Sequence, residues 1–278
     1  MFTLNCKGKL LVAAQPLVMG IINCTPDSFY TGSRFMDKDI LLKQAEKMLQ
    51  EGAAILDIGG QSTRPGAEQV SVTEELKRVI STIEAVHLHF PDAIVSIDTY
   101  RSIIAKEAIA AGASMINDIT AGNADQDMLR IAGDMGVPYV CMHIKGTPQT
   151  MQQNAVYENI SRELLDFFIA KKKACREAGI KDIIIDPGFG FGKTIQHNFE
   201  LLNHLELFKM LECPLLIGVS RKSTIYKTLG ITADEALNGT TVLNTIGVLK
   251  GASILRVHDV KEAMEVVRLV TAMVNRQW

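Results

Sequence analysis

Eight short apolar runs, separated by stretches of helical periodicity, constrain this chain more than any other feature. They are PLVMGIIN (16–23), AAILDIGG (53–60), AIVSIDT (93–99), SMINDIT (114–120), PYVCMH (138–143), DIIIDPG (182–188), PLLIGVS (214–220) and SILRVHD (253–259). Each is mainly β-branched or aliphatic, the composition of strands buried on both faces. Between them lie stretches such as KDILLKQAEKMLQEGA and DVKEAMEVVRLVTAMVNRQ, whose apolar residues recur at helical spacing. Gly52, Gly112, Gly136 and Gly251 stop four of these helices just before the next strand, as expected where a helix turns tightly into a strand. No Pro/Ser-rich linker, low-complexity tract or charge block interrupts the alternation. The pattern predicts one α/β domain over 1–278, a closed (β/α)8 TIM barrel rather than an open sheet of two domains. NCKGK, within residues 1–15, predicts a hairpin that caps the barrel bottom.

Bulk properties exclude several partners. A net charge of −2 gives no reason to expect nucleic acid or an anionic membrane. No run reaches the roughly 18 apolar residues of a membrane span, and Gln15 and Pro16 interrupt the N-terminal apolar stretch. The five cysteines are scattered and show no C-x-x-C spacing, which suits a reducing cytoplasm and argues against a disulfide framework or zinc site.

The site of such a barrel lies at the C-terminal ends of its strands. Each unit delivers a polar residue there: Asn23, Asp57, Asp98, Asn117, His143, Asp186, the Ser220-Arg221-Lys222 step, and Arg256 with His258. Asp57 is assigned a structural role, since the loop beyond it is the more exposed group. His87, His89, His197 and His204 are read as surface residues, Met48, Met128 and Met264 as core, and AKKKACRE (170–177) as a solvated helix face. NCTPDSF (23–29) and GGQSTRPGA (59–67) read as lids that close over substrate. Arg64, Arg221, Lys222, Arg256 and His258 converge on an anionic group, best matched by phosphate. Asp98 and Asp186 suit paired N–H donors of a planar heterocycle.

DPGFGFGKT (186–194) looks like a nucleotide loop but fails both tests for one. Pro187 occupies the leading glycine position of a Walker loop, and Lys193 the third glycine of a dinucleotide fingerprint. What remains is Asp186 at a strand end, followed by a glycine-rich bend.

MGIINCTPDSF, ILDIGGQSTRPGA, VSIDTYR, INDITAG, MHIKGTPQTMQ, DIIIDPGFGFGKT, GVSRKS and ILRVHDV occur in this order across residues 19–260. Together they resemble the motifs of the bacterial dihydropteroate synthase family. The resemblance implies a TIM barrel that condenses 6-hydroxymethyl-7,8-dihydropterin pyrophosphate with 4-aminobenzoate in folate biosynthesis. It implies that Asp98, Asn117 and Asp186 bond the pterin's N–H groups, with Lys222 on its acceptor side and Met142 beneath. It places Mg²⁺ at Asn23, and the pyrophosphate at Thr63, Arg64, Arg256, the Val257 backbone and His258. It assigns the catalytic roles to Asn23, Arg64, Lys222, Arg256 and His258. It also implies that Thr63, Arg64, Pro65, Phe191 and Ser223 shape the 4-aminobenzoate slot, where sulfonamides would compete. The family is usually a homodimer, and the apolar face of the last helix either serves that interface or packs on the barrel.

Two positions depart from the family pattern. Thr31 stands where loop one usually has aspartate, near an added Arg34, which leaves that role vacant or passes it to Asp27. Gln61 replaces a usual glutamate near the pyrophosphate. One rival is a barrel that moves a methyl group from a folate; it needs no pyrophosphate-binding cations in STRPG, SRKS and RVHD. A catalytically inactive pterin-binding barrel is the other.

Overall fold

A computed structural model describes residues 1–24, 34–62, 69–151, 153 and 155–274, with side chains of the first helix described from Asp39. An N-terminal pair, β1 (Phe2–Cys6) and β2 (Lys9–Ala13), is followed by β3 (Leu17–Asn23), α1 (Arg34–Glu51), β4 (Ile55–Gly59), α2 (Val72–His89), β5 (Ile94–Asp98) and α3 (Ser102–Ala111). Then come β6 (Met115–Asp118), α4 (Met128–Met135), β7 (Tyr139–Met142), α5 (Ile160–Glu177), β8 (Ile183–Asp186) and α6 (Ile195–Asn203). A 3₁₀ segment (Leu205–Leu211), β9 (Leu216–Ile217), α7 (Ser223–Leu229), α8 (Leu237–Leu249), β10 (Ile254–Val257) and α9 (Val260–Val274) complete the chain.

The parallel sheet runs β8-β7-β6-β5-β4-β3-β10-β9. An Ile185–Leu215 bridge joins its two ends and closes the expected barrel. The Asn198–Leu211 stretch divides at His204 between α6 and the 3₁₀ segment, and, beyond the eight helices that the alternation predicts, α7 is an additional short helix after β9. Its seven residues, STIYKTL, are too few to show a helical period.

Strand side chains alternate between the lumen and the helices. Outward residues such as Val18, Leu56, Val95, Ile116, Cys141, Ile185 and Leu255 pack with Met48, Val79, Ile104, Phe168 and Val267 of the helices. Inward, Met19, Ile55, Ile94, Met115, Val140, Ile184, Leu216 and Ile254 form an apolar floor, one residue from each barrel strand.

The hairpin closes that floor from below. β1 and β2 pair antiparallel from Phe2↔Ala13 to Cys6↔Lys9. Lys7 and Gly8 turn with φ of 56° and 90°, the double left-handed step of a tight hairpin. Leu4, Cys6 and Ala13 join the floor cluster, while Leu10 and Val12 face outward. Lys7 Nζ and the Asn5 N–H fasten the cap to the Ile109 carbonyl and to Asp182.

Leu4 is only 1% exposed, so Leu4→Ala leaves a cavity where cap meets floor. A loss of about 2–5 kcal/mol is expected, measured as a lower urea midpoint, with the ligand-binding end of the barrel unaffected.

Candidate active site

Two residues beyond each floor position, the lumen changes character. The inward residues there are Ile21, Asp57, Ser96, Asn117, Met142, Asp186, Gly218 and Arg256, assigned by the period-two alternation. Arg256 spans this layer. Its Nε donates to Asp57 Oδ2 at 2.6 Å and its Nη2 to Asp98 Oδ2 at 2.6 Å, tying β10 to β4 and β5. Asn117 Nδ2 donates to the same Asp57 oxygen at 2.9 Å.

Asp57 is fully buried. Its Oδ1 and the hydroxyl of Ser96, its neighbour on β5, have no protein partner. Buried polar groups are seldom left unmatched. Here they face a lumen lined by acceptors, where a ligand with N–H donors would complete them.

Asp186 ends β8, and its Oδ1 accepts the Gly188 N–H at 2.7 Å. Lys222 precedes α7; its Nζ donates to the Phe189 carbonyl and lies 4.7 Å from the centroid of the Phe191 ring. Burial lowers the Lys222 pKa to about 8, against the pull of Asp186. Burial likewise raises Asp186, with Lys222 the main opposing charge, and pushes Asp98 up to about 7 against Arg256. In Arg256, burial works against the charge, but Asp57 and Asp98 outweigh it and raise the pKa. A low-polarity site disfavours every charge, and only direct partners restore it.

The glycines of the loop after β8 follow from close packing rather than phosphate chemistry. A Cβ on Gly188 would stand 2.0 Å from the His143 carbonyl oxygen, and one on Gly192 would stand 2.6 Å from that of Lys145. Both have left-handed φ, 70° and 66°, so only glycine fits without strain. The loop therefore lies flat on the chain leaving β7.

Asp98, Asn117, Met142, Asp186, Lys222 and Arg256 thus gather in or beside one layer. Asn23 is half-buried at the rim beside Gly59. Phe191 stands next to Lys222, and Ser223 is the first residue of α7. His258 Nδ1 lies 3.0 Å from Ser220 Oγ, which also accepts the His258 N–H at 3.2 Å. The Val257 side chain is fully buried in the shell under the helices, which leaves only its backbone toward the rim. Thr63, Arg64, Pro65, Asp27, Thr31 and the Arg34 side chain lie outside the described residues.

Several expectations are corrected. Asp57 belongs to the polar layer, at its centre. Arg221 does not join the converging cations: its Nε and Nη2 bond both Asp259 oxygens at 2.8 and 2.9 Å, and its Nη1 bonds the Ala233 and Asp234 carbonyls. His143 points away from the lumen, one residue past inward Met142, and packs edge-on against Phe167 at 4.8 Å. No correction attaches to Gln61, which is buried and donates to the Tyr100 hydroxyl at 2.8 Å. Lys171 and Lys172, read as solvated, reach the carbonyls of Ala121 and Leu211. Counting alternate residues from Ile55 and Val140 would have placed Asp57 and His143 correctly.

A model of the pterin binding enzyme family matches residues 19–258. Dihydropteroate synthase of Haemophilus influenzae is 43% identical over 274 residues, covering 98% of this chain and 99% of that protein. The Escherichia coli dihydropteroate synthase is 41% identical, covering 98% and 96%. Yersinia pestis dihydropteroate synthase, solved with a sulfonamide drug, superposes with a TM-score of 0.93 at 40% identity, covering 99% of this chain and 100% of that one. The Xanthomonas albilineans synthase, solved with 4-aminobenzoic acid, gives 0.92 at 36% identity, covering 99% and 98%.

The depressed Lys222 pKa has a consequence for stability. In the unfolded chain a lysine holds its proton to about pH 10.4, whereas folded Lys222 releases it near about 8. Burial of the ammonium therefore costs stability at neutral pH, and the cost is relieved as pH rises between these values. Urea midpoints at pH 8 and pH 10 should show the wild type gaining on Lys222→Met. Parallel profiles would place this ammonium in water.

Proposed function

Because this chain belongs to the dihydropteroate synthase family of pterin-binding enzymes, we propose that the polar layer of its barrel reads the pterin ring while the rim holds the pyrophosphate. The reaction joins 6-hydroxymethyl-7,8-dihydropterin pyrophosphate to 4-aminobenzoate and releases pyrophosphate. The observation that carries the assignment of roles is the layer itself: carboxylates and an amide converging in a closed lumen, with unmatched acceptor capacity on Asp57.

Asp98, Asn117 and Asp186 take the amino and ring N–H groups of the pterin, and Asp57 adds an acceptor within the polar layer. Lys222 donates to the opposite edge, and Met142 lies under the ring. Thr63, Arg64, His258 and the backbone at Val257 hold the pyrophosphate. Arg256 joins the two halves, since two of its nitrogens neutralise Asp57 and Asp98 and Nη1 is left to face a pyrophosphate oxygen. Thr63, Arg64, Pro65, Phe191 and Ser223 form the 4-aminobenzoate slot, where sulfonamides compete.

The C–O bond to pyrophosphate breaks with its electron pair leaving on oxygen, and the remaining methylene cation is delocalised into the dihydropterin. The neutral arylamine then forms the new C–N bond and releases a proton. No protein nucleophile takes part. The residues position the ring, place positive charge around the departing anion and exclude water. Neither a strong general base nor a covalent intermediate is needed.

Asn23 offers a single oxygen donor at the rim, and the described residues contain no cluster of three His, Cys, Asp or Glu able to hold a metal. That donor set fits Mg²⁺, which keeps several waters and binds mainly through substrate phosphates. Bound there, it offsets charge on the departing pyrophosphate. A homodimer covers Val242 and Leu249 of α8 with Leu269 and Met273 of α9, all of which are exposed. A cytoplasmic site of action agrees with five unpaired cysteines.

With both substrates, the protein should release pyrophosphate only when Mg²⁺ is supplied. Asp186→Asn should weaken pterin pyrophosphate binding by roughly ten- to a hundredfold, the worth of about 1.5–3 kcal/mol for a charged hydrogen bond, with an unchanged unfolding midpoint in guanidinium. Tight calorimetric binding by that variant would remove Asp186 from ring recognition. Arg256→Ala leaves Asp57 and Asp98 unpaired, so it should weaken free hydroxymethyl-dihydropterin as well as its pyrophosphate. Loss confined to the pyrophosphate form would show that the carboxylates read the ring without Arg256.

A further inference from the structure

Lys193, the lysine of the Gly-Lys-Thr step, is only 3% exposed. Its Nζ lies 3.0 Å from His143 Nδ1, 3.3 Å from the His143 carbonyl oxygen and 3.0 Å from that of Phe191. Three acceptors surround this one nitrogen. Burial pulls the Lys193 pKa well down, with Asp186 opposing. Burial, followed by Lys193 itself, lowers His143 to about 2, so its imidazole is neutral and free to accept at Nδ1.

Other bonds already hold most of this loop. The Gly188 N–H is fixed by Asp186 Oδ1, the Gly190 N–H by Asn198 Oδ1 at 2.8 Å, and the Gly192 carbonyl by the Tyr157 hydroxyl at 2.9 Å. Lys193 grips the Phe191 carbonyl. Methionine would fill the same space without the cost of burying an amine; what the amine adds is a tie from Phe191 to the end of β7. We propose that Lys193 is a positioning residue for the second substrate, holding the Phe191 ring as one wall of the 4-aminobenzoate slot. This rests on the reading of Phe191 given above.

Three variants test it together: Lys193→Met, Phe191→Ala and the double replacement, with KM, kcat and calorimetric Kd for pterin pyrophosphate measured for each. Lys193→Met should raise KM for 4-aminobenzoate by about tenfold while the pterin pyrophosphate Kd stays within about twofold. The double variant should be no worse than Phe191→Ala, because the lysine acts through the ring. Full additivity, an equal loss of pterin affinity, or an unchanged KM would overturn the inference. If Phe191→Ala leaves KM unchanged, the slot assignment falls first and the inference with it; if Phe191→Ala is impaired and Lys193→Met is not, only the inference falls. Should Lys193→Met fail to fold, His143→Phe removes the Nδ1 acceptor yet keeps a ring against Phe167. The same selective rise in KM is expected there, and wild-type KM would refute the latch.

Discussion

A guanidinium between two carboxylates of the lumen is the interaction on which the site depends. Asp57 and Asp98 sit on adjacent strands, and without Arg256 between them their repulsion in a low-polarity lumen would force protonation of one. Arg256 arrives from β10 and bonds both at 2.6 Å. Even so, the layer holds three carboxylates, Asp57, Asp98 and Asp186, against the cations of Arg256 and Lys222. Acceptors are in excess. A lumen so arranged favours a ligand that brings N–H donors on a flat edge and disfavours one that brings a further anion to the same depth. The rim above, where Asn23 and His258 stand, lies outside this excess of acceptors.

The floor beneath allows this concentration of charge. One aliphatic or Met side chain from each strand, together with Leu4, Cys6 and Ala13 of the hairpin, packs the lower lumen as a solid core. Stability comes largely from this floor and from the shell between strands and helices. The upper lumen can then carry paired and unmatched polar groups that would be costly in an apolar core.

The barrel was legible in the sequence because its cause is repetitive. Eight apolar runs and their intervening helical stretches leave few alternatives, and NCKGK marks a turn that any left-handed pair must obey. The residues of the polar layer were legible where a polar side chain ends a run at an inward position, as at Asp98, Asn117 and Asp186. Errors arose where direction mattered more than location. His143 is one residue beyond inward Met142 and so faces the helices. Asp57 follows inward Ile55 by two, and its central position depends on Arg256 approaching from 199 residues away in sequence. Arg221 is charged and near the rim, but the bidentate pair with Asp259 takes it out of the site. Neither contact has a local signature. α7 escaped notice because seven residues carry no period.

Lys193 and Lys222 show how one element resolves a misleading motif. Both are lysines with depressed pKa values, and the glycine-rich loop after β8 separates them. Lys222 faces the lumen and bonds the Phe189 carbonyl; Lys193 faces the outer shell and bonds the Phe191 carbonyl. The loop is thus gripped from both sides by amines, at carbonyls two residues apart. In a phosphate loop, glycines expose backbone N–H groups to an anion. Here Gly188 and Gly192 instead let the backbone lie against the His143 and Lys145 carbonyls, and Asp186 and Asn198 take the N–H groups of Gly188 and Gly190. With those donors spent, the segment has little left with which to hold a phosphate. It serves as a rigid wall, and the side chains it presents, Asp186 and Phe191, are what a planar ligand would meet.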